Sequence, residues 1–381
     1  MATAQKPQTG STSTVRPATW WAPRMWLGTD LVAWLRLLSR NRFDIDLTHA
    51  HIAVTDGLVG ALNTALRGVQ QLVYGRAVAR TTISEAPLFI LGHWRCGTTL
   101  LHELLILDER HTYPNTYQCL SPNHFLLTER VLSRLIGFLM PPQRPMDNMP
   151  LGWSSPQEDE FALCNLGVPS PYQTIVFPNR PPQNQEYLDL EGVPPAELAR
   201  WKAVFHRFLQ EITCRNPRRI VLKSPPHTCR VKVLLEMFPD ARFVYITRDP
   251  YVVLPSTLHL WQTLYQQQGL QRPRYEGLEE HVLETFARMF EQYEQTRALI
   301  GPSRLYELRY EELVADPVAQ MQRLYATLEL GGFDEARGAI EQYFAATKEY
   351  QTNRYQLSDA QREAVTRRWA GYLARYGYES R

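Results

Sequence analysis

The residues of this chain best suited to chemistry are cations that follow short apolar runs. Leu88, Phe89, Ile90 and Leu91 form one such run without a break, the pattern of a strand buried on both faces. Gly92 ends it. From Gly97 onward Leu100, Leu101, Leu104 and Leu105 recur at helical spacing, with Thr98 and Thr99 at the mouth of that helix. A strand, a tight loop and a helix in this order aim several backbone N–H groups and the positive end of a helix dipole at one point, which makes an anion site. Arg95 adds a positive charge inside the loop, and the runs at 220–222 and 243–246 lead into Lys223 and Arg248.

The spacing narrows the kind of anion. Gly92 and Gly97 have the GxxxxG frame of a nucleotide-triphosphate loop, but Thr98 stands where that motif needs lysine. A nucleotide triphosphatase also needs a strand ending in Asp to hold magnesium. Here the strand candidates end in cations, so the crevice is expected to bind a phosphorylated ligand without a metal.

Arg95-Cys96-Gly97-Thr98-Thr99 resembles the phosphosulfate-binding loop of the sulfotransferases that use 3′-phosphoadenosine 5′-phosphosulfate (PAPS). A second motif agrees: residues 243–250, with Arg248 followed eight positions later by Ser256, are similar to the strand and helix with which that family grips the 3′-phosphate of PAPS. Tyr310 resembles the strand-end tyrosine near the adenine. Order and spacing match over about residues 86–318, and the Leu-Lys-Ser-Pro segment at 222–225 is closest to the bacterial-type branch. The resemblance implies a P-loop-like α/β fold, with a parallel sheet flanked by helices, and a PAPS-dependent transferase that needs no metal. It also implies cofactor binding by Arg95, Cys96, Gly97, Thr98, Thr99, Arg248, Ser256 and Tyr310, and places Lys223 near the transferred sulfuryl group.

The base that would take the acceptor proton is left open among three residues. In the animal enzymes a histidine follows the strand-end lysine by two positions; here Pro225 fills that place and His227 comes two later. Glu158, Asp159 and Glu160 precede an apolar triplet, which reads either as the first turn of a helix favoured by its dipole or as a carboxylate aimed at the acceptor. Glu158 and Glu160 lie two apart and cannot share a helical face, so at most one of them serves. Arg95, Lys223, His227, Glu158 and Glu160 are thus the catalytic candidates.

The elements that must position these groups follow from pattern. A chain of 381 residues with 44% hydrophobic residues can bury a substantial core. A formal net charge of +2 argues against a nucleic-acid partner, and five scattered cysteines without a CxxC pair read as reduced thiols in a cytoplasmic protein. The expected organisation is a polar disordered tail over 1–18, a helical segment over 19–85 and the transferase domain over 86–381. Trp20, Trp21, Trp26 and Trp34 mark an amphipathic stretch over 20–40, read first as a helix packed on the catalytic domain and second as a peripheral membrane contact. Residues 50–80 read as one long structural helix with Val54, Leu58, Leu62 and Leu66 on a stripe. The proline-rich stretch 178–195 reads as a surface loop or lid. Residues 228–238 read as a crossover helix into the strand at 242–247, hence a parallel sheet.

The acceptor is expected to be a small molecule, lipid or glycan, with an apolar lining favoured by the aromatic content of 112–180. Oligomeric state has no signature. Two rival functions remain on the sequence alone: a magnesium-dependent kinase-like enzyme, and a non-catalytic scaffold that binds adenosine bisphosphate.

Overall fold

In the structure, a computed structural model describing residues 24–135, 152–347 and 356–381, the apolar runs become one parallel sheet. Its strands are β1 (Leu88–Leu91), β2 (His111–Thr112), β3 (Arg219–Lys223), β4 (Arg242–Thr247) and β5 (Leu305–Arg309), in spatial order β2-β3-β1-β4-β5. Every neighbouring pair is parallel. The chain leaves β1 for one edge of the sheet and later crosses to the other. The C-terminal ends of β3, β1 and β4 therefore frame the crevice in which open α/β sheets hold their ligands.

Alternation along the strands divides the core. Phe89, Leu91, Ile220, Leu222, Phe243 and Tyr245 point to one face, while Leu88, Ile90, Val221, Val244 and Ile246 point to the other. All are buried, as a sheet covered on both sides requires.

The elements that matter below are α1 (Leu31–Arg40), α2 (Ala50–Arg80), α3 (Thr98–Leu105), α4 (Asp159–Asn165), α5 (Pro195–Arg215), α6 (Val231–Met237), α7 (Pro250–Gln268), α8 (Leu278–Thr296) and α9 (Ala370–Tyr376). Trp26 and Trp34 are buried in the same cluster as Phe89. The Trp34 indole donates to Ala53 O at 3.0 Å and that of Trp26 to Gln268 O at 3.1 Å. These two rings face the protein, so they do not supply the membrane contact read as an alternative for 20–40.

Two other expectations change. The stripe of Val54, Leu58 and Leu62 on α2 points to solvent, and the helix packs instead through Ile52, Ala53, Asp56, Gly60, Asn63, Gln70 and Val78. The stretch 178–195 is not a surface lid throughout, because Tyr187, Leu188, Asp189 and Leu190 are buried. The Tyr187 carbonyl accepts from the Arg230 guanidinium, which ties that stretch to the core. The tail 1–18, Trp20 and Trp21 lie outside the described residues, as do residues 136–151 and 348–355.

Candidate active site

Gly97 is the N-cap of α3, in the left-handed region at φ 99°, and no side chain caps the helix. The first N–H groups of α3 are thus open to a ligand, as an anion site requires. A Cβ on Gly97 would stand 2.3 Å from Tyr310 Cδ2, so only glycine fits against that ring. Gly92 is held by its N–H donating to Thr228 Oγ1 at 2.8 Å, which ties the loop to the turn after β3.

The charge of the loop comes from its arginine alone. Burial lowers the His93 imidazole pKa to about 3, so it is neutral near pH 7. Burial likewise pushes the Cys96 thiol up to about 12, and the buried side chain leaves Cys96 only its backbone to offer. Arg95 itself has φ 71°, unusual for a residue with a side chain. Two contacts hold it there. Its Nε donates to Ser256 Oγ at 2.8 Å, and its carbonyl accepts from an Arg248 terminal nitrogen at 3.0 Å.

Arg248 and Ser256 therefore stand on the same side of the sheet as the Gly97 turn, which a ligand held at both ends requires. The Arg248 guanidinium also lies 4.1 Å from the centroid of the Tyr310 ring. With one face under Arg248 and its edge against Gly97, Tyr310 packs directly on the loop. Tyr372 of α9 holds the other side of the strand end: its hydroxyl accepts from Arg248 N–H and donates to Arg248 O, both at 3.0 Å. His259, one turn beyond Ser256 on α7, has its pKa lowered first by burial and then by the charge of Arg95.

The acidic triplet divides three ways. Glu158, the residue before α4, accepts from Lys223 Nζ at 2.7 Å through one oxygen and from the Tyr172 hydroxyl at 2.5 Å through the other. The Trp94 indole donates to the same Tyr172 oxygen at 2.9 Å, which links the carboxylate to the anion loop. Burial and the Glu158 charge raise the Tyr172 pKa far above its ordinary value, so it stays a proton donor in this chain.

Asp159 faces elsewhere, with its oxygens 2.7 Å from His227 Nε2 and 2.9 Å from Ser224 Oγ. Burial alone would raise its pKa, but the His227 charge and these hydrogen bonds hold it below the ordinary value. Glu160 makes a two-pronged pair with Arg230, at 2.6 and 3.0 Å, and accepts from Ser170.

Of the three candidate bases, only Glu158 keeps part of its side chain open, at 12% exposure against 0% for His227 and 1% for Glu160. The His227 ring lies between Phe89 and Phe205, with centroids 5.4 and 5.5 Å away, inside the core. His227 and Glu160 are both enclosed, paired with Asp159 and Arg230 respectively. Asp159, Tyr172, Arg230 and Tyr372 escaped the sequence reading. Asp159 was visible within the acidic triplet, whereas Tyr172 and Tyr372 come from distant segments with no motif around them.

A family model described as the sulfotransferase family matches residues 87–335. The chain is 49% identical over 359 residues to omega-hydroxy-beta-dihydromenaquinone-9 sulfotransferase Stf3 of Mycobacterium bovis, covering 94% of this chain and 92% of the relative. The Mycobacterium tuberculosis protein of the same name matches equally. Among solved structures, sulfotransferase STF9 from Mycobacterium avium is similar with a TM-score of 0.65 at 21% identity, over 92% of this chain and 97% of that one. Sulfotransferase STF1 from Mycobacterium tuberculosis H37Rv gives 0.58 at 21% identity, over 91% and 94%.

Proposed function

This chain belongs to the sulfotransferase family, and from that premise we propose that it moves the sulfuryl group of PAPS onto the terminal hydroxyl of a long apolar alcohol of the prenyl-quinone class. The observation that carries the cofactor reading is the interlock of Arg95, Arg248 and Ser256 beside the Gly97 turn. It gathers two guanidinium groups, a hydroxyl and a helix N-terminus where a doubly phosphorylated adenosine would need them. The acceptor class is supported by the 49% identical relative named for a hydroxylated menaquinone derivative. His93, Trp94, Trp261, Tyr265 and Val282 line one narrow crevice, whose aromatic wall is of the kind such a partner would meet. Trp94 and Trp261 both pack on Tyr172, the residue that touches Glu158.

In this reading the acceptor oxygen forms a new O–S bond while the bond from sulfur to the bridging phosphate oxygen breaks, leaving adenosine 3′,5′-bisphosphate. Glu158 takes the acceptor proton. Lys223 stands over the sulfuryl oxygens, and Arg95 with the N–H groups at the start of α3 meets the charge that grows on the leaving phosphate. Arg248 and Ser256 hold the 3′-phosphate.

The test offers purified enzyme PAPS labelled in its sulfuryl group, with a hydroxylated prenyl quinone, a small phenol and a monosaccharide as acceptors. Label on the quinone above the other two is expected. Transfer to none of them, with adenosine 3′,5′-bisphosphate binding intact by calorimetry, removes this acceptor class and keeps the cofactor reading. Absence of that binding removes both.

A further inference from the structure

Helix α2 has its polar and apolar faces reversed relative to a helix that packs through its hydrophobic side. At roughly 100° per residue, Val54, Leu58, Leu62, Val69, Leu72 and Val73 fall within an arc of about 100°, and all six are exposed, Leu58 at 70% and Leu72 at 86%. The opposite face is buried and includes Asp56, Asn63 and Gln70. Those polar groups have work in the interior. Asn63 donates to Leu27 O and Thr29 O, and Gln70 accepts from Leu126 N–H. The inversion is thus built in, because the inner face is fixed by polar contacts that a half-turn of the helix would break.

The outer face has a charge signature as well. Asp56, buried at 4% exposure, is the only acid in α2. The exposed residues of the helix are therefore apolar, neutral or basic, and Arg76 and Arg80 fall on the same arc as the leucines. The turn leading into α2 adds Phe43 at 57% and Leu47 at 93% exposure. The neighbouring acids in that turn are engaged, Asp44 with Arg180 and Asp46 with the Arg272 N–H.

We propose that the outer face of α2 docks on the surface of an anionic lipid bilayer, with Val54 to Val73 sunk into the headgroup boundary and Arg76 and Arg80 meeting lipid phosphates. Along this helix of 31 residues the stripe from Val54 to Arg80 is about 40 Å long at 1.5 Å per residue, enough to lie along a membrane. It does not cross one, since no described helix is long and apolar enough. A second copy of this chain is the weaker occupant on charge, because its matching face would bring the same arginines and no acid to meet them. Anionic lipid supplies the missing negative charge. The proposal stands on exposure and charge alone and does not depend on which acceptor the enzyme uses.

The full chain is sedimented with vesicles of phosphatidylcholine alone and of phosphatidylcholine with phosphatidylglycerol, beside the double variant Leu58→Ser, Leu72→Ser. Both positions are solvent-exposed and far in sequence from the active-site groups, and unchanged circular dichroism and urea midpoint will verify that the variant folds. Wild type is expected with the anionic vesicles, with partitioning lowered about tenfold or more in the variant. Binding to neither vesicle, equal binding to both, or binding unaffected by the double substitution overturns the proposal. A wild-type dimer in light scattering that the same substitutions dissociate also overturns it and gives the face to a second copy.

Discussion

Glu158 and Glu160 have the same side chain two positions apart, yet they lie in different surroundings. Glu158 is partly open and touches Lys223 and Tyr172, so Glu158→Gln removes a proton acceptor while keeping the shape. Turnover is expected to fall by about 10²–10⁴-fold, with adenosine 3′,5′-bisphosphate affinity by calorimetry unchanged. Glu160 is enclosed with Arg230. Glu160→Ala leaves a buried guanidinium without its counter-charge and should lower unfolding free energy in urea by about 3–5 kcal/mol, an effect on stability that Glu158→Gln does not share. At Arg95 the division is between binding and chemistry. In the proposed reading Arg248 and Ser256 grip the other end of the ligand, so Arg95→Ala should reduce kcat by a larger factor than it raises the bisphosphate Kd. Equal losses would mean that Arg95 only binds.

At the level of elements, the anion loop depends on one backbone position. Gly97→Ala puts a methyl group 2.3 Å from Tyr310 Cδ2 at a φ of 99°, so either the ring moves out from under Arg248 or the loop opens. The expected result is loss of bisphosphate binding in calorimetry, and Gly97→Ala combined with Tyr310→Ala should regain part of it, because the collision is then gone. Helix α2 makes a pH prediction through its inward acid. Burial, partly offset by the Arg24 charge, raises the Asp56 carboxyl to about 7 from 3.8. Between those values the folded protein keeps a proton that the unfolded chain has released, so stability falls as pH rises through this window. Asp56→Asn removes the proton exchange. Its urea stability should change less between pH 5 and pH 8 than that of wild type, by an amount on the order of a few kcal/mol. Asp159 does not blur the comparison, since its pKa is shifted the other way and its contribution is lost only below the ordinary carboxylate range.

For the molecule as a whole, the crevice is assembled from parts far apart in the chain: the loop at 92–97, Lys223, Arg248, Ser256, Tyr310 and Tyr372. A ligand that bridges them binds only the folded state, so adenosine 3′,5′-bisphosphate at a hundred times its Kd should add about 2.7 kcal/mol to unfolding stability. Urea denaturation reads that gain, and ATP with magnesium should give none. The sheet and its cationic strand tips were readable from sequence because each signal is local. An apolar run of four to six residues makes a strand, a glycine pair makes the turn, and the residue after the run lies at the strand's end whatever the rest of the chain does. Strand order was not local, and neither was the fate of a side chain once its helix had been oriented. His227 looked available until Phe89 and Phe205 closed around it, and Glu160 until Arg230 reached it from beyond a turn. The stripe on α2 could be read at its correct spacing, yet the side of the helix that meets the core was decided by Asn63 and Gln70 finding partners in other segments. The sequence determined which groups arrive at the crevice, and tertiary packing decided which of them remain exposed there, because exposure depends on neighbours that no single segment contains.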